Sequence, residues 1–115
     1  MADKAEVDKY FNVIVERIND VGPFIAADWG GSVQFVLPDL NTGWLLKMAM
    51  DGTVESCEEK LDENAATGVL ELDSDTFVAI YSGAKSPMEF MAEGKLVGRK
   101  STDALLKILP ASAGM

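Results

Sequence analysis

Between Asp3 and Val21 the apolar residues Val7, Tyr10, Phe11, Ile14, Ile18 and Val21 recur at gaps of three, one, three, four and three. That spacing gathers them on one stripe of a helix with charged residues opposite. Gly22-Pro23 is expected to end the helix, because proline has no amide donor and restricts the residue before it. Past a glycine-rich loop the period falls to two. Ser32–Leu37, Gly43–Met50 and Thr53–Lys60 read as three strands of an antiparallel meander, the last two joined through Asp51-Gly52, a strong hairpin signal. In the second segment Trp44, Leu46, Met48 and Met50 share one face and are expected to point inward. The third, with Glu55, Glu58 and Glu59, suits a charged edge strand.

Ala66–Asp73 reads as a fourth strand with Gly68, Leu70 and Leu72 on its inner face. Ser74 or Asp75 is expected to cap a helix carrying Phe77, Ile80 and Tyr81 and ended by Gly83, and Ser86-Pro87 opens another with Met88 and Met91. Gly94–Lys100 fits a fifth strand. Ser101 or Thr102 opens a last helix bearing Leu105, Leu106, Ile108 and Leu109 before Pro110. Strands and helices in this order make an α+β domain, and 115 residues without a repeat or linker are expected to form one such domain over residues 1–115.

Composition narrows the chemistry. Nineteen acidic against ten basic residues give a net charge of −9, so nucleic acid is not an expected partner. With no histidine, Ser–His hydrolases and His-ligated metal sites are excluded, and the chain is expected not to be an enzyme. Neither a cofactor nor a metal is expected. The single cysteine, Cys57, cannot form an internal disulfide, and its acidic neighbours Glu55 and Glu59 oppose a thiolate, so it reads as structural. No apolar run is long enough to span a bilayer and the first residues are no secretion signal, which makes the cytoplasm the expected compartment. Gly98-Arg99-Lys100-Ser101-Thr102 lacks the spacing of a phosphate loop, and Asp73-Ser74-Asp75 opens like a calcium loop but places Phe77 and Val78 where a ligand and a glycine belong. What remains is a set of flexible and aromatic side chains: Met48, Met50, Met88 and Met91 with Phe35, Trp44, Phe77 and Phe90. Such a set lines an adaptable apolar pocket or makes up an ordinary core.

Asp73-Ser74-Asp75-Thr76-Phe77 through Tyr81-Ser82-Gly83, followed by Ser86-Pro87-Met88-Glu89-Phe90-Met91-Ala92-Glu93-Gly94-Lys95-Leu96, resembles the sterol carrier protein type two family: a capped helix with a phenylalanine, a glycine, a proline turn and a Phe-Met-x-x-Gly-Lys-Leu run. Gly43-Trp44-x-Leu-x-Met before Asp51-Gly52 matches that family's second strand. The resemblance implies a five-stranded mixed sheet covered on one face by helices, with a hydrophobic tunnel between the layers for fatty acyl, acyl-CoA or sterol-like ligands. It implies ligand-binding positions at Phe35, Trp44, Leu46, Met48, Met50, Leu70, Leu72, Phe77, Ile80, Met88, Phe90 and Met91, closed by Leu105 and Leu109. The expected function is non-catalytic lipid binding and transfer. The alternative is a scaffold or dimerisation module of a lipid-metabolising enzyme complex, with its interior filled by side chains. Expected partners are thus a lipid or acyl-CoA, a lipid-metabolising enzyme, a second copy of the chain and, at most transiently, a membrane. Charge divides unevenly along the chain: residues 51–75 hold nine acidic residues and one basic, whereas Lys95, Arg99, Lys100 and Lys107 make the last part basic, a candidate contact for anionic head groups.

Overall fold

A computed structural model of the chain describes residues 3–25, 28 and 30–100. The element order is α1 (Lys4–Ile25), β1 (Ser32–Leu37), β2 (Thr42–Met48), β3 (Val54–Glu59), β4 (Gly68–Leu72), α2 (Ser74–Tyr81), α3 (Pro87–Ala92) and β5 (Leu96–Lys100), with short 3-10 turns at Pro38–Leu40 and Glu63–Ala65. The five strands form one mixed sheet in the order β3-β2-β1-β4-β5, in which only β1 and β4 run parallel among the neighbouring pairs. The expected fold class is the observed one. The expected last helix, with Leu105 and Leu109, lies outside the described residues.

Helix α1 starts where Asp3 accepts a hydrogen bond from the Glu6 amide at 2.8 Å. Its stripe Val7, Phe11, Ile14 and Ile18 is buried against Val33, Phe35 and Leu37 of β1, Trp44, Leu46 and Met48 of β2, and Leu70 and Leu72 of β4. The helix does not stop at Gly22. It runs on through Pro23 to Ile25, which corrects the expected boundary. Proline in a last turn forfeits one backbone hydrogen bond, while Gly22 gains close contact with the backbone of Gly52 in the β2–β3 loop. A Cβ on Gly22 would collide with the Gly52 carbonyl, and Gly52 itself has φ 91°. Helix and hairpin therefore meet backbone to backbone. The hairpin is looser than a two-residue turn, since β2 stops at Met48 and β3 begins at Val54. Met50 accordingly falls beyond the strand and is 60% exposed, a correction to its expected inward position.

Asp73, and neither Ser74 nor Asp75, caps α2 by accepting from the Thr76 amide at 2.7 Å. Ser74 instead donates to Asp39 through both its amide and its hydroxyl, which ties the 3-10 turn after β1 to the start of the helix. Ser86 and Glu89 form a reciprocal capping box at α3, with Pro87 in its first turn.

The chain passes from edge strand β3 to β4 across the sheet face opposite α1. Gln34, fully buried on β1, holds that crossover. Its amide nitrogen donates to the Lys60, Trp44 and Phe35 carbonyls at 2.9, 3.1 and 2.8 Å, and its oxygen accepts from the Asp62 amide at 2.8 Å. A single side chain thus pairs polar backbone groups that the crossover takes out of water. Leu45, Ala66 and Val69 make a small second core on this side.

Candidate functional site

The space between α1 and the sheet is the place to look for a ligand, and its two flanks differ. Toward α2 it is filled. The Phe11 ring stacks on Trp44 and on Phe77, both at 4.7 Å between centroids, and meets Phe35 edge to face at 5.1 Å. Phe77 in turn packs against Tyr81 at 4.7 Å, and the Tyr81 carbonyl accepts from the Arg17 guanidinium. Among the described residues Phe11 is thus the hub of an aromatic cluster, while Leu105 and Leu109, expected to close the tunnel, lie outside them.

Toward β3 the same layer opens. A cleft of about 500 Å³ is lined by Asp8, Phe11, Asn12 and Val15 of α1, by Trp44 of β2, and by Val54, Glu55, Ser56 and Cys57 of β3. Its volume is that of an ordinary small-molecule site. Two contacts pin the helix to the edge strand at the ends of this slot: Lys4 pairs with Glu59 at 2.7 Å, and Asn19 accepts from the Val54 amide at 2.8 Å. At 1.5 Å per residue, the α1 wall of the cleft, from Asp8 to Val15, runs about 10 Å along the helix axis.

A register shift in β3 shapes the floor. Lys47 pairs with Ser56 and Met48 with Val54, so Glu55 is an extra residue in the edge strand. Val54 and Cys57 are three positions apart and on a regular strand would face opposite sides. The bulge brings both onto the α1 side, beside Phe11 and Trp44, and leaves Glu55 exposed on the rim. Phe11 and Trp44 are buried and Val15, Val54 and Cys57 half-buried, so apolar residues lie at the base of the cleft while Asp8, Asn12, Glu55, Ser56 and backbone supply most of its exposed surface.

Burial pushes the Cys57 thiol up to about 11, and the Asp8 and Glu58 carboxylates push in the same direction. The thiol is neutral at physiological pH. Lys4 and Glu59 shift each other oppositely: their hydrogen bond holds the Glu59 carboxyl below, and the Lys4 ammonium above, its ordinary value.

Of the positions expected to bind ligand, Trp44 lines this cleft. Phe35, Leu46, Met48, Leu70, Leu72, Phe77, Ile80 and Phe90 sit in the packed core, and Leu72 also borders a separate shallow depression of about 400 Å³ with Asp39, Asp73 and Lys95. Met88 and Met91 stand at the surface, 66% and 38% exposed. Phe11, Val15, Val54 and Cys57 were not among the expected positions. Nothing in the sequence marks the bulge, because that Val54 and Cys57 share a side is seen only in the pairing of β2 with β3. Of the basic C-terminal part, Arg99 contacts Glu63 and Glu71 at 2.6 and 3.1 Å and Lys95 contacts Glu93 at 3.8 Å, while Lys107 lies outside the described residues. No group of three or more potential metal ligands occurs among the described residues.

No family model matches the chain, and no curated protein does. Solved structures do. The sterol carrier protein 2 of Aedes aegypti in complex with palmitate is 20% identical, with 98% of each chain covered and a TM-score of 0.69. Sterol carrier protein 2 like 2 from the same organism is 13% identical, with 92% of this chain and 95% of that one covered and a TM-score of 0.72. The stereoselective inverting sec-alkylsulfatase Pisa1 from Pseudomonas sp. is 14% identical over 91% of this chain, at a TM-score of 0.74, but this chain spans only 16% of its length. The chain has the sterol carrier protein 2 fold.

Proposed function

We propose that this chain binds and transfers lipid, holding a fatty acyl or sterol-like body in the cleft between α1 and β3 and performing no chemistry of its own. The observation that carries the reading is the apolar floor of Phe11, Val15, Trp44, Val54 and Cys57 beneath a polar rim, at the margin of a helix-on-sheet layer. A palmitate complex on the same fold supports it, and the lack of histidine agrees with a carrier. Affinity would come from apolar burial: about 300 Å² of ligand surface at about 25 cal/mol per Å² contributes on the order of 7 kcal/mol before ordering costs. Selectivity for chain length is then shallow, since one methylene is worth about 1–3 kcal/mol. Among the described residues no helix is long and apolar enough to cross a membrane, in keeping with a carrier that meets membranes only transiently.

Titration with an uncharged fluorescent sterol or long-chain alcohol tests the reading. Saturable one-to-one binding is expected, and Val15→Trp, which fills the cleft from α1, is expected to weaken it at least tenfold with the circular dichroism unchanged. Absence of saturable binding overturns it. The aromatic cluster around Phe11 favours a second reading, the scaffold or dimerisation module of a lipid-metabolising complex. Native mass spectrometry separates the two: copurified lipid supports the carrier, and an empty dimer supports the module.

A further inference from the structure

Resting on that lipid reading, we infer that the cleft selects amphiphiles whose head group donates hydrogen bonds and carries no negative charge, taking a long-chain alcohol or amine ahead of the matching carboxylate. Both charged residues among those lining the cleft, Asp8 from α1 and Glu55 from the β3 bulge, are acidic, and they stand on the exposed rim from opposite walls. No cation is among the lining residues. The ammonium of Lys4, at the end of the slot, is engaged with Glu59.

A tail laid on Phe11 and Trp44 brings its head group to this rim. A carboxylate head then faces two carboxylates without a counter-ion; Asn12 and Ser56 on the rim can donate to it, but neither carries a charge to offset the repulsion. A hydroxyl or ammonium donates to the two rim carboxylates, and the ammonium also gains Coulomb attraction. The Cys57 thiol on the floor is kept protonated first by burial, to which Asp8 and Glu58 add. Because the rim is exposed, screening limits the discrimination to about tenfold at low ionic strength, and it shrinks as salt is added.

Trp44 supplies the readout. In a Trp29→Phe background, tryptophan emission is followed while dodecanoate, dodecanol and dodecylamine are added below their aggregation limits, near neutral pH and at low salt. Dodecanol and dodecylamine are expected to bind about tenfold more tightly than dodecanoate. The Asp8→Asn/Glu55→Gln double variant is expected to raise dodecanoate affinity until the three agree within about threefold; both positions are exposed, and circular dichroism checks that the fold is kept. Equal wild-type affinities, or a gap that survives in the double variant, overturn the head-group assignment and leave the lipid reading standing. If none of the three perturbs Trp44, and the uncharged sterol probe also fails to bind, the lipid reading falls and this inference with it.

Discussion

Helix α1 packs one flank against α2 and the other against β3, and the two contacts are built differently. On the α2 flank rings meet rings: Phe11 on Phe77, Phe77 on Tyr81, each at 4.7 Å between centroids. On the β3 flank the helix rests on two polar clips, Lys4–Glu59 and Asn19–Val54, with a cleft between. Apolar packing grows with contact area and closes a space, whereas a hydrogen bond fixes a distance and can leave a gap beside it. The same helix thereby serves as the roof of a core and the wall of a candidate site. Phe11 belongs to both.

Removing that shared residue breaks the comparison most severely. Phe11→Ala deletes two stacked contacts and one edge contact at a buried position, and is expected to cost about 3–5 kcal/mol in urea unfolding. If the loss is below about 1 kcal/mol, the closed flank is not held by its rings.

Cys57 probes the open flank through its thiol. With its pKa pushed up to about 11, only about one thiol in a thousand is ionised near pH 8, so alkylation by maleimide is expected to run roughly a hundredfold slower in the folded chain than in the urea-unfolded one. The sign for stability follows. Above about pH 9 the unfolded chain gives up this proton first, so the folded state loses stability as pH rises toward 11. Equal folded and unfolded alkylation rates would mean that the floor of the cleft is open to water.

The smallest effect belongs to the clip at Lys4. Because the pair is exposed, Lys4→Met is expected to shift Tm by no more than about 2 °C. Glu59 is held below its ordinary value, so the contribution is present above the usual carboxylate range and fades as pH falls and the group takes up its proton. A larger shift in Tm would show that the cleft is braced and not merely pinned.

Much of the architecture was legible from residue order. The stripe of α1 from Val7 to Ile18, the meander, the inner faces of β2 up to Met48 and of β4, and the Ser86 cap all follow from period and capping chemistry, which act over a few residues, whereas Val21 is exposed. The departures are places where a distant partner outweighs the local rule. Pro23 stays helical beside a Gly22–Gly52 contact, Ser74 gives up the cap to reach Asp39, and Met50 lies past the end of its strand. The site was less legible. The sequence supplied apolar residues of the right kinds, but whether a ring such as Phe77 lines a space or fills one depends on what faces it.

The sequence by itself determined that this chain is an acidic α+β protein without histidine, with an amphipathic first helix and a charged edge strand, because composition and period are properties of the chain alone. Tertiary structure alone decided where the layer is closed and where it opens. One extra residue in β3 turns Val54 and Cys57 to the same side, and Phe11 joins Trp44 and Phe77 in one aromatic cluster. Register and ring packing are set by residues far apart in sequence, and no local pattern records which of them will meet.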